Sequence, residues 1–292
     1  MTETPPPKPR LGDWLVDRLA RGLLGLLSLL PYERRVPVGG WLFSRLVAPL
    51  AGWRRRIREN LALVCPDMPE AEVQRLCRAV PDNIGRVMVE LFSPEEFAAR
   101  VVARMPISGP GLAALEEAKA AGRPALLISG HFGNFNAARL GIAARGYPVG
   151  ALYRPMGNRY FDEHYVQAML AVSEPLFARS KRGMAEMVRF LKRGGMVAML
   201  VDQSISSGAD LTFFGRRART ALSAAELALR YDALILPGYA IRRPDGIDFD
   251  MVVEEPVPHG DPAAMTQALN DSLEAVVRRH MDQWFWIHRR WK

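Results

Sequence analysis

Apolar positions along this chain change period, and the changes mark out its elements. From Leu11 to Leu30 the period is helical. Leu11, Leu15, Leu19, Leu23, Leu26, Leu27 and Leu30 share one face, with Asp13, Asp17 and Arg21 on another. Asp17 and Arg21 are four apart, a favourable surface pair. The four charges of this stretch argue against an unaided span, which needs about 20 mostly apolar residues. The GLLGLLSLL segment with basic flanks suits a helix lying in a membrane interface, and capping a globular core is the other use such a helix has. A second apolar stretch, Val36 to Trp53, is interrupted by Arg45 and Pro49 and followed by Arg54, Arg55 and Arg56. Basic residues beside apolar helices gain about 1 kcal/mol each on an anionic surface. The preceding residues, 1–10, are rich in proline and polar groups and read as a disordered tail.

Residues 55–97 read as two or three helices broken at Pro66 and Pro69. Beyond them strand and helix patterns alternate. Helix 112–121, strand 124–129, helix 133–145 and strand 149–154 come first. Helix 162–171, helix 183–193, strand 196–202 and helix 223–231 follow, then strands 233–240 and 249–254 and a last helix, 262–280. Strands separated by helical segments of about 10–15 residues predict an α/β fold. Its sheet is mixed but mainly parallel, with helices on both faces, and the N-terminal amphipathic helices precede it. Ligands in such sheets bind beyond the carboxyl ends of the strands, where His131, Arg154 and Asp202 fall. Gly194-Gly195 ends a helix rather than forming a phosphate loop, and no nucleotide fingerprint or internal repeat is present.

Composition narrows the partners. The chain is 49% apolar and 24% charged, an ordinary globular balance, with a formal net charge of +8. Arginine dominates that charge and raises the isoelectric point to about 9.9, which favours an anionic partner. Cys65 and Cys77 form no C-x-x-C pair, so neither a disulfide framework nor a zinc site is indicated, and a reducing environment is the simplest inference. The opening TETPPPKPR does not read as a secretory signal.

The segment ALLISGHFGNFNAAR, Ala125 to Arg139, carries the candidate chemistry. An apolar strand ends at a histidine and hands over to a helix, whose first turn can offer unpaired N–H groups to a developing negative charge. An imidazole so placed can act as a general base on a hydroxyl.

Four segments together resemble the late acyltransferases of lipid A biosynthesis, the lauroyl/myristoyl transferase family. They are HFGNFN, ALYRPMGNRYFD (Ala151 to Asp162), VAMLVDQSISSGADLTFFGRRARTALSAAELALRY (Val197 to Tyr231) and WFWIHRRWK (Trp284 to Lys292). That family carries a histidine followed five residues later by Asp or Glu, typically as HFGNWE. A YRP segment, a DQ pair, an FFG followed by Thr and a near-terminal W-x-H-R-R come after it. IRENLALVCPDM also resembles the family's R-x-N-L-x-x-x-F-P segment. The resemblance runs from about Trp41 to Lys292, and it has one departure: Asn136 stands where the family has the acidic residue.

The resemblance implies a glycerolipid-acyltransferase-like domain over 56–292, with membrane-associated helices over 11–55. The implied activity moves a fatty acyl group from acyl carrier protein to a hydroxyl of a lipid A precursor, at the cytoplasmic face of the inner membrane. A different glycolipid acceptor, or a weakened member that binds lipid or acyl carrier protein, are the alternatives. No cofactor and no metal is called for. His131 is the expected base, since His164 falls in a helix, His259 in a Pro/Gly loop, His280 near a helix end and His288 in the basic tail. Asn136 can fix a tautomer through its carbonyl but supplies no charge. Four accounts of it stay open: a tolerated variant, another carboxylate such as Asp202 doing the orienting, a substituted form of the chain, or a weakened relative. Arg154 is a planar donor for a phosphate or oxyanion. Asn134 is a neutral donor or a helix cap, and Gln203 is a ligand for amides or sugar hydroxyls. Phe213, Phe214 and Arg216 suit an acyl chain beside an anionic head group. The tryptophan- and arginine-rich tail suits a membrane interface, and no nucleic-acid module is present to favour stacking on bases.

Overall fold

The computed structural model describes residues 10–292, so the expected disordered tail lies outside the described residues except for Arg10. Helix α1 (Leu11–Ser28) is followed by α2 (Tyr32–Leu42), a π-helical turn (Phe43–Val47) and α3 (Ala48–Leu50). The apolar stretch through Arg45 and Pro49 is therefore helical as far as Leu50, and a turn at Ala51-Gly52 ends it. Arg45 projects outward, and Pro49 sits in the first turn of α3, where a missing N–H is tolerated. Helices α4 (Trp53–Val64), α5 (Glu70–Leu91) and α6 (Pro94–Arg104) follow, with Pro66 and Pro69 in the break between α4 and α5. Helices α2 and α5 approach closely because Gly39 and Gly85 face each other. A Cβ on Gly85 would lie 2.7 Å from the Gly39 carbonyl oxygen.

The α/β part runs β1 (Ile107–Ser108), α7 (Leu112–Ala120), β2 (Ala125–Ser129), α8 (Phe135–Ala144), β3 (Val149–Tyr153), α9 (Arg159–Val172), β4 (Leu176–Ala178), α10 (Lys181–Lys192) and β5 (Met196–Leu200). After a hairpin, β6 (Ala209–Phe213) and β7 (Arg216–Thr220), come α11 (Ser223–Tyr231), β8 (Leu234–Arg242), β9 (Phe249–Val253) and α12 (Pro262–Arg279). The main sheet has the order β1-β9-β8-β2-β5-β3-β4. β8, β2, β5, β3 and β4 are mutually parallel; β9 runs antiparallel to β8, and β1 runs with β9. The expected mixed, mainly parallel sheet is what the chain forms.

Helices cover both faces, and alternate residues of each central strand enter opposite cores. Leu127 of β2 joins the layer of α5 to α9 with Val149 and Leu236. Leu126 and Ile128 join Met187, Leu191 and Leu269 on the other side. This two-sided burial is why the strands read as unbroken apolar runs. A third cluster gathers Ile57 and Leu61 of α4 with Phe213, Phe214, Trp284 and Trp286.

The polar stripe of α1 faces inward. Asp17 is fully buried and pairs with Arg21 at 3.0 Å and Arg18 at 3.2 Å. Arg21 also donates to the Tyr160 carbonyl, and Asn158 Nδ2 donates to the Asp13 carbonyl, tying α1 to the start of α9. Leu27 and Leu30 turn into the core, whereas Leu11, Leu15, Leu19, Leu23 and Leu26 point out, Leu11 at 74% exposure and Leu19 at 73%. Trp41, Leu46 and Leu50 are likewise exposed on α2, the π turn and α3. No helix among the described residues is long and apolar enough to cross a membrane.

Candidate active site

His131 lies two residues beyond the end of β2, and Asp202 two residues beyond the end of the adjacent strand β5. Parallel pairing of equal register brings both to one edge. His131 Nδ1 is 2.8 Å from Asp202 Oδ1. The second carboxylate oxygen, Oδ2, accepts the His131 backbone N–H at 2.8 Å and the Trp284 indole N–H at 2.9 Å. Burial pushes the Asp202 carboxyl up, but the facing His131, its hydrogen bonds and His288 outweigh burial and hold it well below the usual carboxylate range. An ionised carboxylate only accepts, so Nδ1 of His131 carries the proton and Nε2 presents a lone pair to the cleft. The imidazole remains 24% exposed, so a substrate can reach it. Phe135 and Phe285 flank it, with ring centroids at 5.6 and 5.8 Å, and supply apolar walls.

Asn136 does not take part in this pairing. It is buried in the first turn of α8, and neither its amide oxygen nor its amide nitrogen has a hydrogen-bond partner. The geometry thus favours one of the open accounts, in which Asp202 meets the imidazole. Asn134 caps α8: its Oδ1 accepts from the N–H groups of Asn136 at 2.9 Å and Ala137 at 3.2 Å. Its Nδ2 donates to the buried Glu90 at 2.7 Å, so of its two expected uses, substrate donor or helix cap, the structure shows the cap.

The expected helix N-terminal oxyanion site is mostly occupied by the protein's own acceptors. The His131 N–H goes to Asp202, Phe132 to the Gly130 carbonyl, Gly133 to the Gln283 carbonyl and Asn134 to the Ala240 carbonyl, and those of Asn136 and Ala137 go to the Asn134 side chain; the Phe135 N–H alone has no partner among the described residues. The Phe135 N–H is then the one backbone donor of this turn left open for an oxyanion, and side chains supply the others. Gln203 is one. Its Nε2 lies 3.0 Å from His288 Nε2 and 3.5 Å from His131 Nε2. Arg154 follows the end of β3, the strand beside β5, on the same edge of the sheet; it is exposed and makes no hydrogen bond or ion pair among the described residues.

The expected acyl-binding loop is instead a packed hairpin. Phe214 and Gly215 both have positive φ, 54° and 65°, the signature of a tight two-residue hairpin turn. A phenylalanine in that conformation needs support. Its N–H donates to Glu274, Arg278 lies 4.3 Å above its ring, and Trp286 packs at 5.5 Å. Phe213 packs on Trp284 at 5.3 Å and stacks on Trp291 at 6.0 Å. Both phenylalanines are buried and leave no face for a ligand, while Arg216 stands exposed on the hairpin. The tail is corrected in the same way. Trp284, Trp286 and Arg290 are buried, Arg290 donating to the Arg219 carbonyl, Thr220 and Asn270. Asn60 of α4 donates to the carbonyls of Trp286 and His288, at 2.6 and 2.7 Å.

His288, Trp284 and Glu90 are site residues that the sequence reading passed over. His288 sits in the tail, but its ring centroid is 5.1 Å from that of His131. Burial, with help from His131, Arg290 and Arg56, pushes its pKa down to about 4, so it is neutral near pH 7. Glu90, buried on α5, binds Asn134 and both terminal nitrogens of Arg242. Arg242 Nε reaches Asn83, which donates to the Gly133 carbonyl, and Gln283 brackets the Arg242 backbone at 2.8 and 2.9 Å. This network locks the histidine turn to β8 and the tail. A W-x-H pair reaching a strand-end histidine was the only sequence signal for it.

The α/β sheet and the His131–Asp202 pair at its edge form a site suited to general-base chemistry on a hydroxyl. The sequence model of the family described as bacterial lipid A biosynthesis acyltransferase matches residues 9–292, and the chain belongs to that family. It is similar to the lipid A biosynthesis lauroyltransferase of Escherichia coli, 25% identical over 282 residues covering 94% of this chain and 90% of the relative. The lipid A biosynthesis palmitoleoyltransferase of the same organism is 26% identical over 288 residues, covering 93% and 89%. A phosphatidylinositol mannoside acyltransferase of Mycobacterium tuberculosis is 26% identical over 250 residues, covering 82% and 78%.

Proposed function

We propose that this acyltransferase moves a fatty acyl group from the thioester of acyl carrier protein to a hydroxyl of a lipid A precursor, at the cytoplasmic face of the inner membrane. The observation that carries the reading is the His131–Asp202 pair. Nε2 of His131 takes the proton of the acceptor hydroxyl as its oxygen attacks the thioester carbonyl. Asp202 holds the imidazole in the tautomer that leaves Nε2 free and stabilises the imidazolium that forms. Because Asp202 supplies the negative charge, Asn136 need not, and the weakened-member reading loses its motive. Arg154 is free to hold an anionic group of donor or acceptor.

The exposed apolar side chains of α1 to α3 support the membrane part of this reading. A helix that buries Asp17 and exposes its leucines is arranged for an apolar environment, with Arg18 on the helix and Arg10, Arg34 and Arg45 nearby exposed for anionic headgroups. The similarity to mannoside acyltransferases supports a second reading, the same chemistry on another glycolipid.

The test is to incubate the purified chain with acyl carrier protein thioesters in anionic vesicles containing either a lipid A precursor or a mannosylated phosphatidylinositol. Lipid mass spectrometry then reads the product. Acylation of the lipid A precursor alone supports the first reading, acylation of the mannoside alone the second, and no acylation of either refutes both.

A further inference from the structure

The amide of Gln203 lies between two imidazoles. With Nδ1 of His131 donating to Asp202, Nε2 of His131 is an acceptor, and His288 approaches the same amide through its own Nε2. A carboxamide NH2 has two hydrogens, one for each ring nitrogen. The 3.0 Å arm to His288 is a full hydrogen bond and the 3.5 Å arm to His131 is at the limit of one. Phe285 packs on the His288 ring at 4.6 Å and Asn60 holds its backbone carbonyl, so the strong arm is anchored. The charged and titratable groups that act on His288 are His131, Asp202, Arg290 and Arg56.

We propose that Gln203 is a catalytic oxyanion donor and that His288 is the positioning residue that holds its amide in place, resting on the acyl-transfer reading above. In the resting site the weak arm points at His131 Nε2, the spot the acceptor hydroxyl must occupy. When that hydroxyl enters, its proton goes to Nε2, its oxygen bonds to the thioester carbon, and the carbonyl π pair moves onto the carbonyl oxygen. Protonated His131 no longer accepts from Gln203, and the released N–H donates to the new oxyanion. Collapse breaks the carbon–sulfur bond, and the departing thiolate takes the proton back from Nε2. Most of the turn's backbone N–H groups are already engaged, the Phe135 N–H being the exception among the described residues, so a side-chain donor adds to what the turn can offer. The neutral state of His288 suits it to accept throughout.

The test compares Gln203→Ala, His288→Phe, His288→Asn and the double variant Gln203→Ala/His288→Phe with the parent chain. Near-UV circular dichroism confirms folding. Removing an oxyanion donor costs about 10²–10³ in kcat, so Gln203→Ala is expected to lose that much with KM little changed. His288→Phe is expected to lose at least tenfold in kcat. The double variant is expected to be no slower than Gln203→Ala, because the histidine acts only through the glutamine. His288→Asn, which keeps an acceptor, is expected to recover most of the loss. Multiplicative losses, or a Gln203→Ala kcat within threefold of the parent, would overturn the proposal. Imidazole ¹⁵N spectra give a readout independent of turnover: the His288 Nε2 signal is expected to lose its hydrogen-bond shift in Gln203→Ala, and an unchanged signal overturns the fork. A parent chain without any transferase activity would instead refute the acyl-transfer reading, and the proposed catalytic role with it.

Discussion

Replacing Asp202 by asparagine changes one atom and is expected to invert the tautomer of His131. Oδ2 of Asp202 accepts two N–H donors, the His131 backbone and the Trp284 indole, both within 2.9 Å. In the Asp202→Asn variant the amide oxygen keeps that place, because turning the NH2 group there would set it against two buried donors at about 1–3 kcal/mol each. The NH2 then faces His131 Nδ1 at the Oδ1 position and donates to it. Nδ1 becomes the acceptor, the proton moves to Nε2, and the base is lost. The same tautomer reversal costs about 10⁴ in the serine-protease triad. Here a fall in kcat of about 10³–10⁴ is expected, or about 4–5.5 kcal/mol of transition-state stabilisation. The assay is steady-state acyl transfer from acyl carrier protein thioester, with imidazole ¹⁵N spectra to read the tautomer. A kcat within tenfold of the parent, with the proton still on Nδ1, would refute the argument.

Three further expectations follow from the same geometry. Asn136→Leu removes a buried amide that has no partner, so stability by urea unfolding is expected to hold or rise by about 1 kcal/mol, with kcat within a few-fold of the parent; a large loss of transfer would restore Asn136 to the site. Leu15→Glu/Leu19→Glu/Leu26→Glu places three charges on the bare face of α1, each of whose leucines is worth up to about 1.5–3 kcal/mol on burial. Co-sedimentation with anionic vesicles is expected to fall steeply, whereas salt releases the parent only in part, and full release of the parent by salt would count against apolar insertion. His288 has its pKa depressed from 6.5 to about 4, so the folded state binds fewer protons than the unfolded chain over that range. Stability is therefore whole above about pH 6.5 and is lost as pH falls toward 4, with about 3 kcal/mol at stake, and His288→Gln is expected to remove this share of the slope. His164 and His280, also shifted down, act with the same sign and stay in the variant, so an unchanged slope would place His288 in contact with solvent.

The elements most legible in the sequence were those whose burial matches a simple period. Strand 149–153 and helix 223–231 end within a residue of expectation, because an unbroken apolar run and a 3.6-residue stripe each admit one solution. The hairpin of β6 and β7 was missed because its turn uses Phe214-Gly215 rather than Asn-Gly, and the strain is met by Glu274 and Arg278, more than 50 residues away. The inward polar face of α1 was invisible for a related reason: periodicity separates two faces but does not say which one meets protein. In the site, His131 and Asp202 were legible as strand ends, but their contact depends on β2 and β5 being neighbours, which sequence order conceals. His288 was set aside as part of a basic tail. The pairing of Phe132 with Trp284 and the Phe285 N–H bond to the His131 carbonyl help return that tail to the histidine.

The most direct measurement is acyl transfer by the purified chain with and without His131. General-base catalysis is typically worth about 10²–10⁴. With acyl carrier protein thioester and lipid A precursor in vesicles, the parent is expected to yield acylated lipid by mass spectrometry. His131→Ala is expected to fall at least 100-fold, with its circular dichroism and vesicle binding unchanged. Transfer by folded His131→Ala within threefold of the parent would contradict the account at its centre.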